Sequence, residues 1–286
     1  MQRLLVLGLP KPRRSGLNLQ SKHSHGTVMS HHPRKRFGQH FLQDAAVIAR
    51  IIAALHPLPT QHVVEIGPGQ GALTFPLLEH LSQLEVIEYD RDLVALLERA
   101  GTALIIHEAD ALHFDFAALK TDERLLHIVG NLPYNIATPL LFHLFTHEHA
   151  IETMLFMVQK EVALRLSAEK GNKSYGRLSV MAQYHCHIEL LFDVPPSAFY
   201  PKPQVTSSMV RLTPYHPLPF VAHNMKVFER LVRQAFSMRR KILHNSLKGM
   251  IDESLWARMP VSPLLRPEHV SVADFVMMSN MLSMSA

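Results

Sequence analysis

Four consecutive residues, Asn131-Leu132-Pro133-Tyr134, combine an amide, backbone carbonyls stiffened by a proline, and a flat aromatic ring. An amide oxygen and a carbonyl accept hydrogen bonds and a tyrosine face stacks, so the set suits a planar ring that carries an amino group. The lone pair of such a nitrogen is delocalised into the ring, and no base of ordinary strength removes its proton. Accepting hydrogen bonds from both of its protons would instead draw it towards tetrahedral geometry, a preorganised electrostatic catalysis that needs no carboxylate, histidine or metal. Asn and Pro are also common in plain strand-to-helix turns, so these four residues do not settle the matter alone.

A second set lies upstream. Gly67-Pro68-Gly69-Gln70-Gly71-Ala72 follows an apolar run at 63–66, and Glu88 ends another run 21 residues after Gly67. Glycines at such a turn let a ligand approach the backbone, and a carboxylate at the next strand end can accept both hydroxyl protons of a ribose. Gly67, Gly69 and Ala72 satisfy the dinucleotide fingerprint, while Gly67, Gly69 and Gly71 give the Gly-x-Gly-x-Gly form of methyl-donor sites. Asp110, after a third run, is either an acceptor for an adenine amine or a helix cap. Arg34, Lys35 and Arg36 precede Phe37 and His40-Phe41-Leu42, and cations beside aromatics can hold phosphates and bases or form a solvated tail.

Short apolar runs at 63–66, 84–87, 104–106, 125–129 and 154–158 read as strands. Stretches with helical spacing at 45–55, 73–81, 136–147 and 160–166 alternate with them, which predicts an α/β fold with a doubly wound, mostly parallel sheet. Ligands of such sheets sit at strand ends, where Gly67, Glu88, Asp110 and Asn131 would gather. Residues 175–184 read as a helix, and 185–194 and 207–212 as strands joined by a connection rich in proline. Those prolines would hold Phe199 at a loop tip, free to cover the second face of a base or to plug the domain edge. After a linker with three prolines at 214–219 the pattern turns helical over 225–236, 239–247, around Trp256 and over 272–282. This tail carries Arg230, Arg233, Arg239, Arg240, Lys241 and Lys248, a basic face suited to phosphate.

The 286 residues, 47% hydrophobic, suffice for one ordinary domain and a smaller one. The single cysteine, Cys186, excludes an internal disulfide and a cysteine-clustered zinc site. Apolar runs stop short of the roughly 18 residues a membrane helix needs, so no membrane contact is expected. A formal charge of +5 with 20 further histidines leans towards a polyanion such as RNA. Residues 1–28 are expected to be a disordered extension or an artefact of start assignment, residues 29–213 the ligand-binding domain, and residues 214–286 a small helical domain that contacts RNA.

The motifs Arg36-Phe37-Gly38-Gln39-His40-Phe41-Leu42, Glu65-Ile66-Gly67-Pro68-Gly69, Glu88-Tyr89-Asp90, Asp110, Asn131-Leu132-Pro133-Tyr134, Tyr175-Gly176-Arg177-Leu178-Ser179 and the stretch with Phe199 and Pro203 stand in one order. Together they resemble the 16S ribosomal RNA adenine dimethyltransferase family, from about Arg34 to near the C-terminus. The resemblance implies a class I S-adenosylmethionine methyltransferase fold with a small helical C-terminal domain. It implies S-adenosylmethionine held by His40, Leu42, Gly67, Gly69, Glu88, Asp110 and Asn131, and a catalytic set of Asn131, Pro133, Tyr134 and Phe199. His40 stands where the family often has Asn. Arg34, Lys35, Arg36, Arg239, Arg240 and Lys241 are the expected RNA contacts. The implied substrate is a pair of adjacent adenines in a hairpin loop near the 3′ end of 16S rRNA, each methylated twice within the small (30S) subunit, by a cytoplasmic monomer with a role in subunit biogenesis. A resistance-type 23S rRNA methyltransferase, a non-catalytic assembly factor, a nicotinamide-dependent dehydrogenase and a DNA adenine methyltransferase are the competing readings. The dehydrogenase leaves Asn131 to Tyr134 unexplained, and the DNA enzymes usually have a second proline where Leu132 stands.

Overall fold

The computed structural model describes residues 39–238 and 240–284. The expectations for residues 1–28, for Arg34, Lys35 and Arg36, and for Arg239 lie outside the described residues. In chain order the elements are β1 (Phe41–Leu42), α1 (Ala45–Leu55), β2 (His62–Ile66), α2 (Thr74–Leu78), β3 (Leu84–Glu88), α3 (Arg91–Leu97), β4 (Leu104–Glu108), β5 (Leu126–Asn131), α4 (Ala137–Phe145) and β6 (Ile151–Gln159). They continue with α5 (Lys160–Leu166), α6 (Arg177–His185), β7 (Cys186–Val194), β8 (Phe199–Tyr200), β9 (Ser207–Pro214), α7 (Met225–Ala235), α8 (Leu243–Ser246), α9 (Glu253–Trp256) and α10 (Val272–Met284).

Seven strands form one sheet in the order β4-β3-β2-β5-β6-β9-β7. The first five pair in parallel, and β9 runs antiparallel to both β6 and β7. This is the doubly wound α/β class that the alternation of runs predicts. Alternate side chains feed two cores, because successive residues of a strand point to opposite faces. Val64 and Ile66 of β2 and Met154, Phe156 and Val158 of β6 pack with α4 and α6 on one face. Val63, Leu155 and Met157 pack with α1 and α2 on the other. Each fully buried side chain of this size contributes about 1.5–3 kcal/mol.

Local signals place the helices. Asp44 caps α1 by accepting from the amides of Ala46 and Val47, Val47, Ile51 and Leu55 form its buried stripe, and His56 in the left-handed conformation ends it. The Asp90 side chain caps α3, a helix that the strand-centred reading of residues 88–104 does not anticipate. The helical tail has a third core, but Tyr175, Val180, Met181 and Tyr184, from α6 and the residue two positions before it, belong to that core as well.

Two expectations need correcting. Phe199 is not at a loop tip: it lies in β8, opposite Leu42 of β1, with 5% of its surface exposed. Its ring fills the core beneath the sheet because the prolines around it direct the chain back across β1. Residues 239–247 are not one helix, since Arg240 and Lys241 lie in an exposed turn and α8 restarts at Leu243. Carbonyls of the loop after α9 take the first amides of that restart, with Leu243 N donating to Leu265 O and His244 N to Pro263 O.

Candidate active site

The strand order reverses between β2 and β5, and a cleft of about 260 Å³ opens there at the C-terminal strand ends. His40, Leu42, Gly67, Gly69, Glu88, Asp110, Asn131, Pro133 and Tyr134 all line it. The structure thus brings together every described cofactor and catalytic candidate of the sequence analysis except Phe199, which backs the wall from the core side through its pairing with Leu42, while Arg240 and Lys241 lie outside the cleft.

The turn after β2 is shaped by glycines. Gly67 and Gly69 adopt φ of +66° and +58°, a region where side chains other than glycine are strained. A Cβ on Gly67 would meet nothing within 4 Å, which leaves its face open to a ligand. Glu88 ends β3 with 7% exposure, its Oε1 accepting from the amides of Tyr89 and Asp90 at 2.9 and 2.8 Å and its Oε2 from Gly69 at 3.2 Å. Burial raises its pKa, opposed by those three amides. A carboxylate fixed in this way is ready to accept hydroxyl protons. Asp110 does two things: it lines the cleft and it holds its own turn, accepting from Leu112 N at 2.9 Å.

Glu65, 2% exposed on the same wall, accepts from Thr74 Oγ1 at 2.7 Å. Its carboxyl is pushed up to about 8, chiefly by burial. The folded form therefore keeps a proton that the unfolded chain releases near 4.5, so this contribution to stability is present below 4.5 and is lost as pH rises towards 8. Glu65→Gln keeps the Thr74 contact without the titration. In urea unfolding at pH 6 and pH 8, the wild type should lose about 2 kcal/mol more between the two than the variant. Parallel pH profiles would remove Glu65 from this role.

On the opposite wall, Asn131 Nδ2 donates to the His40 carbonyl at 2.9 Å, and His40 Nδ1 donates to the Pro201 carbonyl at 2.6 Å. The amide nitrogen is thereby turned to the chain, which fixes the orientation of Oδ1. The Pro133 carbonyl already accepts from Ile136 N and Ala137 N, both at 3.1 Å, as α4 begins. Of the two carbonyls, that of Leu132, a buried residue that lines the cleft, is the one that accepts no hydrogen bond among the described residues. A buried acceptor of this kind calls for an outside donor. Tyr134 shares a hydrogen bond of 2.9 Å with Ser207 Oγ, and its ring lies 5.6 Å from that of His40.

A family model described as ribosomal RNA adenine dimethylase matches residues 30–283. The chain belongs to the ribosomal RNA adenine dimethylase family. It is 51% identical over 253 residues to a protein of Coxiella burnetii named ribosomal RNA small subunit methyltransferase A, covering 87% of this chain and 98% of that one. A protein of the same name from Pseudomonas aeruginosa is 51% identical over 259 residues, 90% of this chain and 97% of that one. A dimethyladenosine transferase from Plasmodium falciparum superposes with a TM-score of 0.71 at 25% identity, over 84% of this chain and 96% of that one. The 23S rRNA methyltransferase ErmE shares the fold, with a TM-score of 0.63 at 24% identity over 85% of this chain and 99% of that one. This dimethylase is thus a methyltransferase, and its methyl donor is S-adenosylmethionine. The open face of Gly67 and the fixed carboxylate of Glu88 suit the donor's adenosyl part.

Three contributors to the dimethylase site escape sequence reasoning. Gly130 is one: a Cβ there would fall 2.6 Å from the Ile66 carbonyl, so only glycine lets β5 approach β2. Ser207 and the Pro201 carbonyl are the others. Nothing in the order of residues announces them, because each meets its partner only through the fold.

Proposed function

We propose that this chain dimethylates the exocyclic amines of two adjacent adenines in the hairpin loop near the 3′ end of 16S rRNA. It does so as a cytoplasmic monomer acting on the assembling 30S subunit. The names and identities of its relatives support the small-subunit assignment. The observation that carries the chemistry is the Asn131 amide, held by the His40 carbonyl beside the buried Leu132 carbonyl in the cleft that contains Glu88. In this reading residues 29–213 perform the transfer, while residues 214–286 contact RNA, with Arg240 and Lys241 exposed for that purpose. No helix of the described residues is long and apolar enough to cross a membrane.

S-adenosylmethionine supplies the sulfonium methyl. Glu88 accepts the ribose hydroxyl protons, Asp110 accepts from the cofactor's adenine amine, and Gly67 and Gly69 let the backbone come close, with His40 and Leu42 closing the wall. Tyr134 stacks on the substrate base, which lies across the strand ends. Asn131 Oδ1 and Leu132 O accept the two amine protons and aim the nitrogen lone pair at the methyl carbon. The bound donor would supply its methyl to that lone pair and leave as the neutral thioether, and the proton released by the nitrogen would pass to water at the open cleft. Alignment of nitrogen, carbon and sulfur provides much of the remaining acceleration. Phe199 supports the wall from within the core and touches neither partner.

Tyr134→Ala should raise the KM for RNA at least fivefold, since stacking is worth about 1–3 kcal/mol per base. Tyr134→Phe should recover most of that loss. Ser207→Ala, which frees the ring to turn, should fall between them; a Phe variant as poor as Ala would give the role to the hydroxyl instead.

The decisive experiment measures incorporation of labelled methyl into undermethylated 30S particles, naked 16S rRNA, 23S rRNA and DNA. Four methyl groups per 30S particle are expected. Preference for 23S rRNA would support the resistance-type reading, and no incorporation anywhere the assembly-factor reading.

A further inference from the structure

A second cleft, of about 310 Å³, lies where α6 meets α7, away from the strand ends. Arg177 at the start of α6 lines it together with Lys226, Arg230 and Arg233 of α7. The three α7 residues follow a spacing of four and then three, so they form one stripe along the exposed face of the helix. Phe228, Leu231, Val232 and Ala235 occupy its buried face. Glu229 is the single carboxylate in the lining, and among the described residues none of the four cations makes an ion pair. Four like charges gathered in one lining favour an anion there. The Asn224 side-chain oxygen caps α7 through Val227 N, leaving its amide hydrogens available as further donors.

The position of the cleft matters as much as its charge. The Arg177 guanidinium lies over the Phe142 ring at 4.8 Å, and Phe142 sits on α4, the helix that begins three residues after Tyr134. Phe142 is five residues beyond the start of that helix, a rise of about 7.5 Å. From Lys226 to Arg233 the stripe is about 10 Å long. Successive phosphates of a duplex strand rise by about 3.4 Å, so the stripe spans about three such steps. An open, polar cleft of this length suits an extended polyanion better than a compact anion.

We propose that this cleft binds the phosphodiester backbone of the same RNA, a few nucleotides from the reacting base, with Arg177, Lys226, Arg230 and Arg233 as its phosphate contacts. This rests on the RNA methyltransferase reading of the main site. The contacts are independent of base sequence and act as a second anchor that sets how the RNA lies across α4.

The test compares wild type with an Arg230→Gln, Arg233→Gln double variant and with Arg177→Gln alone, which changes a different helix. Binding of undermethylated 30S particles and of an isolated hairpin is followed over a range of KCl concentrations. Each lost phosphate contact should reduce the slope of log affinity against log salt by about 0.7–0.9. The double variant should therefore lose about 1.5 and Arg177→Gln about 0.8, with the KM for particles raised at least fivefold and S-adenosylmethionine affinity unchanged. A loss for the particle alone, with the hairpin unaffected, would overturn the placement a few nucleotides from the reacting base. Wild-type slopes in both variants, with the wild type methylating particles in the same assay, would overturn the cleft assignment and leave the main site standing. A wild type that methylates no RNA would instead overturn the reading of the main site.

Discussion

Asn131→Ala should lower methyl transfer at least tenfold at saturating substrate and cofactor, with the far-ultraviolet circular dichroism spectrum unchanged. Tenfold corresponds to about 1.4 kcal/mol of barrier, a modest value for an acceptor that acts most strongly as charge develops on the nitrogen. The variant also loses the donor that ties β5 to the His40 carbonyl, so the two roles must be separated. Asn131→Asp keeps an acceptor and loses that donor, placing a carboxylate against a carbonyl. It should bind the cofactor and remain well below wild type, and its shortfall would measure how much the orientation contributes. Single-turnover transfer to 30S particles reads both variants. Wild-type rates for Asn131→Ala would refute the hydrogen-bond role and leave positioning as the whole of catalysis.

Gly130→Ala is expected to damage stability and activity together. The added methyl would lie 2.6 Å from the Ile66 carbonyl and 3.3 Å from Leu132 Cδ2, and the first of these is backbone, with no rotamer to yield. β2 and β5 must therefore separate, where Val64 pairs with Ile128 and Glu65 with Val129. Overpacking of this kind costs about 1–3 kcal/mol. In a chain of this size that lowers the melting temperature by roughly 2–4 °C per kcal/mol. The same displacement moves the Gly67 turn away from Asn131, so transfer should fall at least tenfold even well below the melting temperature. Thermal unfolding and transfer at 20 °C test this directly, and normal values of both would mean the two strands have slack at their ends.

The contrast between Asn131 and Gly130 reflects what a sequence can reveal. Asn131, Glu88 and Gly67 are unusual residues at the ends of apolar runs, and the run boundaries place them without knowledge of pairing. The bounds expected for α1 and α5 match those observed because apolar spacing is local, with the Asp44 cap adding a start signal at α1. Gly130 matters only through its register with Ile66, and Ser207 only because β9 returns beside β6. The ribbon of β1 and β8 is two residues long on each strand, too short to have a period, and its partners are far apart in the chain. Phe199 was misplaced for that reason: its flanking prolines imply a loop, while its burial comes from a strand that no local pattern discloses. The engaged carbonyl of Pro133 was equally hidden, because every residue has a carbonyl and only the onset of α4 shows which one is taken.

The hydrogen bond from Asn131 to His40 also bears on which bases the pocket can read. With its amide nitrogen turned away, the side chain offers only lone pairs, and the Leu132 carbonyl beside it does the same. Guanine and inosine carry a keto oxygen where adenine carries its amine, and would bring a third lone-pair donor against those two. Mispairing of acceptors would therefore exclude keto purines before any chemistry began.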